Sequence, residues 1–148
     1  VLGDAFHAFA AADDADAPTS DRLEVAQRCL ATWALGQPHL AGTFVRAMDR
    51  LRDFIRERYG DVPLMREVPA WHRTPEGTVL RGTLDAWIPS RAVIDHKALL
   101  GGVVRQVEAA CTYGGQLEAY ARIAKASEGV DVDRWIHLPM AGLMVRLR

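Results

Sequence analysis

Two carboxylates and one ammonium group fall within a short stretch of the chain. Asp85 stands in Gly82-Thr-Leu-Asp85-Ala-Trp-Ile, and Asp95 and Lys97 stand in Val93-Ile-Asp95-His-Lys97. In an extended strand side chains alternate faces, so Asp95 and Lys97 point the same way, while His96 points opposite and offers that face only its backbone carbonyl. Asp85 comes from the preceding strand. A three-residue loop at Pro89, Ser90 and Arg91 would pair Ile88 with Ala92 and set Asp85 directly opposite Asp95, whereas a two-residue loop would put the carboxylates on opposite faces. A shared site therefore requires an odd loop or a bulge. Like charges facing each other across a ladder are destabilising, and a hard divalent cation with oxygen ligands is the simplest compensation. Carboxylates, a cation and a nearby ammonium group are the parts needed to hydrolyse a phosphodiester.

Three further patterns surround this pair of strands. Gly3-Asp-Ala-Phe-His7 places a histidine four residues after a glycine at the start of an expected helix. Glu67-Val-Pro69 opens the strand before the hairpin, and Gln116-Leu-Glu-Ala-Tyr120 puts two hydrogen-bonding side chains on one helical face. In this order, G-x-x-x-H, E-x-P, G-x-x-D, D-x-K and Q-x-x-x-Y resemble the RecB/AddA-type nuclease domain of the PD-(D/E)xK superfamily, the C-terminal nuclease of ATP-dependent helicase-nucleases. The resemblance covers the chain from Gly3 to about Tyr120. D-x-K alone is common by chance, so the ordered set carries the likeness.

The resemblance implies an α/β, restriction-endonuclease-like αβββαβ core, with a mixed central sheet flanked by helices. It implies a Mg²⁺-dependent deoxyribonuclease of the exodeoxyribonuclease V kind, with Mn²⁺ as an alternative ion. Asp85, Asp95, the carbonyl of His96 and His7 would hold the metal, and Lys97 would act on the attacking water. Glu67 would orient ligands without being one, and Gln116 and Tyr120 would contact DNA. The implied setting is processing of double-strand-break ends and recombinational repair, with a helicase motor in the same parent polypeptide and an AddB/RecC-like subunit as partner. Two rival readings are a stand-alone phage-type exonuclease and a non-catalytic descendant that guides DNA or docks a partner.

Composition bounds these expectations. The 148 residues suit one domain, read as residues 1–148 of a nuclease unit cut from a longer chain. A net charge of −1 gives no whole-protein attraction for nucleic acid, so any contact with DNA depends on local patches. Arginine outnumbers lysine sixteen to two, and Lys125, the other lysine, reads as a helix-surface residue. No G-x-x-x-x-G-K-[ST] phosphate loop occurs, so a motor would lie elsewhere. No apolar run approaches the roughly 18 residues that span a bilayer, and no signal-peptide pattern opens the chain, so a cytoplasmic protein is expected. Cys29 and Cys111 are isolated in sequence. They lack the four-cysteine set of the iron–sulfur relatives, and no iron–sulfur cluster is expected.

The elements that must position the site follow from periodicity. Helices are expected over Gly3–Ala12, Asp21–Leu35, Thr43–Tyr59 and, as one long element, Arg105–Ser127. Leu64–Arg73, Thr78–Ile88 and Ala92–Lys97 read as strands, with one or two more over Arg134–Leu147. The acidic run Asp13–Asp16 reads as a solvated loop. Leu84, Ala86, Ile88, Ala92 and Ile94 form one apolar face, which leaves Asp85, Asp95 and Lys97 on the other. Gly114 and Gly115 lower helix propensity without a packing gain, as a site of close approach by a DNA strand would. His39, His72, His96, His137 and the four tryptophans read as packing or surface residues.

Overall fold

The computed structural model describes residues 1–148. Three helices, α1 (Leu2–Ala12), α2 (Thr19–Thr32) and α3 (Pro38–Tyr59), precede three strands, β1 (Met65–Arg73), β2 (Val79–Ile88) and β3 (Ala92–His96). Two helices, α4 (Val103–Cys111) and α5 (Gly114–Glu128), then lead to β4 (Asp133–Leu138) and β5 (Leu143–Leu147). The strands form one sheet in the order β1-β2-β3-β4-β5. β3 and β4 pair in parallel and every other neighbouring pair is antiparallel. Parallel pairing forces the chain back to the same end of the sheet, and α4 and α5 make that crossover. The result is an α/β fold with a mixed five-stranded sheet flanked by helices. No helix is long and apolar enough to cross a membrane.

Each face of the sheet has its own core. Phe6, Phe9, Phe44, Met48 and Leu51 pack from α1 and α3 against Ala86, Ile88, Ala92 and Ile94. On the other face Ala110, Leu117 and Ala124 of α4 and α5 cover Leu84, Val93, Ile136 and Leu138. Covered on both sides, all five residues of β3 are buried, which explains its near-continuous apolar sequence.

The expected single apolar face of the hairpin is corrected here. Leu84 lies in the α4–α5 core, while Ala86 and Ile88 lie in the α1–α3 core. Residues two apart on one strand should share a face. β2 therefore switches faces between Leu84 and Ala86, at Asp85. β1 has the matching irregularity: its register with β2 runs through Arg66↔Ala86 and Val68↔Leu84, and the intervening Glu67 has φ +49°. A left-handed backbone at a non-glycine residue is costly and concentrates at functional sites.

Three other expectations change. α3 starts at Pro38 instead of Thr43, because proline at the first helical position gives up no hydrogen bond. The long helix is two: Thr112 and Tyr113 donate their backbone N–H groups to Ala109 and Ala110, an i→i+3 turn that separates α4 from α5. Asp13 is not part of a solvated loop. It is 1 % exposed, and Arg22 Nε and Arg52 Nη2 donate to its two carboxylate oxygens at 2.8 and 2.6 Å. Those guanidinium groups hold its carboxyl below the usual range despite burial, which opposes the shift. Arg66 also donates to the Asp13 and Ala10 carbonyls, so this cluster ties the end of α1 to β1.

Candidate functional site

The loop between β2 and β3 has three residues, since Ile88 pairs with Ala92. The alternative left open by sequence is thereby resolved, and continuing that register sets Asp85 against Asp95. Regular pairing stops one step earlier, at Ala86↔Ile94. Beyond it the strands part, and the side chain of Asp85 takes over as partner: its Oδ2 accepts the buried backbone N–H of His96 at 2.7 Å.

Into this gap α1 delivers His7. Its Nε2 lies 3.1 Å from the carbonyl oxygen of His96. A carbonyl only accepts, so Nε2 carries the proton, and a neutral ring then leaves its lone pair on Nδ1. That Nδ1 lies 3.4 Å from Asp85 Oδ1 and 3.9 Å from Glu67 Oε1. One ligand atom each from His7, Glu67 and Asp85 lies within 4.8 Å of the others. Glu67, expected to orient ligands, has a carboxylate oxygen close to both His7 and Asp85, and the His96 carbonyl, expected as a ligand, accepts from His7 Nε2.

Beneath His7 lies a buried imidazole pair. The Nδ1 atoms of His96 and His137 are 3.1 Å apart, so one donates and the other accepts. Burial drives the His96 imidazole well below its ordinary pKa, reinforced by His137, and pushes His137 down to about 3. Both rings are neutral at physiological pH. Phe6 packs edge-on against each, at centroid distances of 5.5 and 5.7 Å. The residue that seats α1 in the core is therefore the neighbour of His7, and it fixes the strand whose carbonyl holds His7.

Asp95 and Lys97 lie together, as alternation requires. Lys97 Nζ is 2.7 Å from Asp95 Oδ2, and the parallel ladder continues through a Lys97 N–H to His137 carbonyl bond of 2.9 Å. The ion pair lies off the hydrogen-bonding direction, so neither carboxylate oxygen of Asp95 has a directed donor, although the residue is 1 % exposed. Asp95 is outside the His7–Glu67–Asp85 trio.

The expected DNA-contacting pair joins the same cluster from α5. Lys97 Nζ donates to Gln116 Oε1 at 3.4 Å, and Gln116 Nε2 donates to the Tyr120 hydroxyl at 2.9 Å. Tyr113 adds its ring, with Lys97 Nζ 4.6 Å from the centroid. Gln116 is exposed, but Tyr120 also packs: a Cβ added at Gly82 would stand 2.8 Å from the Tyr120 ring. Gly82 is thus a seat for Tyr120, a contact invisible in sequence because the two residues lie on separate elements. Added Cβ atoms at Gly3 and Gly115 would meet nothing within 4 Å, and one at Gly114 only Leu147 at 3.8 Å. Close protein packing accounts for none of these three.

The donor set fits a hard divalent cation. Buried Glu67 Oε1 and Asp95 Oδ1 lack hydrogen-bond partners, and Asp95 Oδ2 meets only the Lys97 ammonium group; unpartnered buried acceptors are costly unless something else binds them. Burial, with the charge of Asp95 beside it, raises the Asp85 carboxyl to about 6 against the opposing pull of His7, the His96 N–H and Lys97. Strong perturbation of one buried carboxylate by another beside it is a feature that functional sites share. Oxygen donors with one imidazole suit Mg²⁺ or Mn²⁺. Cys29 packs against the α1–α3 core and Cys111 is exposed at the end of α4, so neither contributes a ligand here. No family model and no curated protein matches the chain.

Proposed function

We propose that the protein is a metal-dependent DNA nuclease domain with a PD-(D/E)xK core, of the kind found in RecB/AddA-like helicase-nucleases acting on double-strand breaks. The observation that carries the reading is the convergence of His7, Glu67 and Asp85, with Asp95 and Lys97 on the adjoining strand. Helix–three strands–helix–strand is embedded in the element order, which supports the core assignment. A helicase motor in the parent polypeptide and an AddB/RecC-like partner belong to the same proposal.

His7, Asp85 and Asp95 would hold Mg²⁺, with Glu67 in reach and the His96 carbonyl orienting His7. When bound, the cation supplies Lewis-acid polarisation of the phosphate and a lowered pKa for its water. Lys97 is the only side-chain cation touching Asp95, and its ammonium group positions a nucleophilic water and offsets charge that grows on the phosphoryl oxygens. Gln116 holds Lys97 at one end and Tyr120 at the other. As a strand enters, the exposed amide of Gln116 and the hydroxyl of Tyr120 exchange these bonds for phosphate oxygens. Digestion of single- and double-stranded DNA with Mg²⁺, Mn²⁺ or EDTA tests the reading. Metal-dependent cleavage by the wild type, abolished in Asp95→Ala, is expected.

A further inference from the structure

We infer that the exposed face of the β1–β2 ribbon is a track for a single nucleic-acid strand, with Trp71 as its stacking platform and Arg73 and Arg81 as its phosphate contacts. Trp71 is 71 % exposed. The register sets it directly across from Arg81, and Arg73, two residues along β1, shares its face. Neither guanidinium makes an ion pair, and Arg73 Nη1 donates only to the Gly77 carbonyl, at 3.4 Å, in the turn beyond the ribbon. Pro69 and Thr83 complete an open depression of about 720 Å³ on this face.

The opposite face of the ribbon is already used. Val68, Ala70 and Leu84 pack toward α5, and Gly82 receives Tyr120. Trp71 and Arg81 therefore point away from the core with no partner of their own. Their position gives the surface its meaning: Trp71 lies four residues from Glu67 on β1, and Arg81 lies four residues from Asp85 on β2. At strand rise, each is roughly 13 Å along the ribbon from the carboxylates. A polyanion whose bases stack on an indole and whose phosphates meet two guanidinium groups free of ion pairs matches this surface, and free base faces require a single strand. The choice of polymer rests on the nuclease reading above.

The test is anisotropy of a fluorescent oligothymidylate with the wild-type protein, Trp71→Ala, Trp71→Phe and Arg81→Ala, in Ca²⁺ so that binding is read without cleavage. Trp71→Ala should raise the dissociation constant by about 5- to 150-fold, with Trp71→Phe retaining most of the affinity and the melting temperature unchanged. Arg81→Ala should lower the salt slope by about 0.7. The affinity for blunt duplex should be insensitive to Trp71. Unchanged oligothymidylate binding in Trp71→Ala, an equal loss for duplex, or no binding by the wild type overturns the track. A protein that binds oligothymidylate through Trp71 but cleaves no DNA keeps the track and removes the nuclease reading. One that cleaves DNA while Trp71→Ala binds normally removes only the track.

Discussion

The carboxylate of Asp85 accepts the backbone N–H of His96 at 2.7 Å, taking the place of a ladder partner where β2 and β3 part. One side chain thus serves two ends, since its other oxygen faces His7. Asparagine keeps the acceptor but not the charge. Asp85→Asn should therefore fold at least as stably as the metal-free wild type, because repulsion with Asp95 is relieved, while losing metal affinity. Asp85→Ala leaves the His96 N–H buried and unpaired, and should be less stable than Asp85→Asn by about 1–3 kcal/mol. Urea denaturation with calorimetric Mg²⁺ titration checks both.

The raised carboxyl of Asp85 has a defined pH signature. Its folded pKa of about 6 lies above the ordinary 3.8, so the folded state holds this proton more tightly than the unfolded chain. Its contribution to stability is complete below about pH 4 and is lost as pH rises through about 6. Metal-free wild type minus Asp85→Asn should show that loss, with a slope of at most about 1.4 kcal/mol per pH unit. Metal affinity should run the other way, rising from pH 5 to 7 as the competing proton leaves. A pH-independent difference between the two proteins would contradict the assignment.

Gly82 and Tyr120 make a second separable pair. Gly82→Ala puts a methyl group 2.8 Å from the Tyr120 ring, and should cost about 1–3 kcal/mol as an overpacked contact. In Gly82→Ala/Tyr120→Ala most of that cost should vanish. A double-mutant cycle of thermal unfolding checks it, and additive costs would show that the ring is not the obstacle.

Sequence pattern reveals the strand pair carrying Asp85, Asp95 and Lys97 through alternation, but the register between them waits on the loop length, which the Ile88↔Ala92 pairing supplies. It misses the face switch at Glu67 and Asp85, since period-two reasoning assumes an unbroken pleat and no residue type announces φ +49° at a glutamate. The close approach of the Glu67 carboxylate to His7 and Asp85 is consequently not visible in the pattern. Asp13 is missed for another reason. In a run with Asp14 and Asp16 it looks solvated, but its partners lie nine and 39 residues away, and only folding brings Arg22 and Arg52 to it.

That buried cluster makes its own prediction. Arg22→Leu removes one of the cations compensating a fully buried carboxylate and should destabilise the fold by about 3 kcal/mol. Because Asp13 follows the helix that carries His7, urea unfolding should report the loss directly, while Arg56→Leu, which breaks the exposed ion pair with Asp53, should change stability by less than about 1 kcal/mol. Equal effects would contradict the distinction between the buried and exposed pairs.

The central claim is that Lys97 acts on metal-assisted phosphodiester cleavage, and the most direct measurement is digestion of single- and double-stranded DNA by wild type and Lys97→Ala in Mg²⁺, paired with calorimetric Mg²⁺ titration. An ammonium group cannot be a ligand, so Lys97→Ala should keep its metal affinity while its turnover is lost, and EDTA should silence the wild type. Wild-type protein that cleaves neither substrate in Mg²⁺ or Mn²⁺, or Lys97→Ala that cleaves at the wild-type rate, would contradict the account.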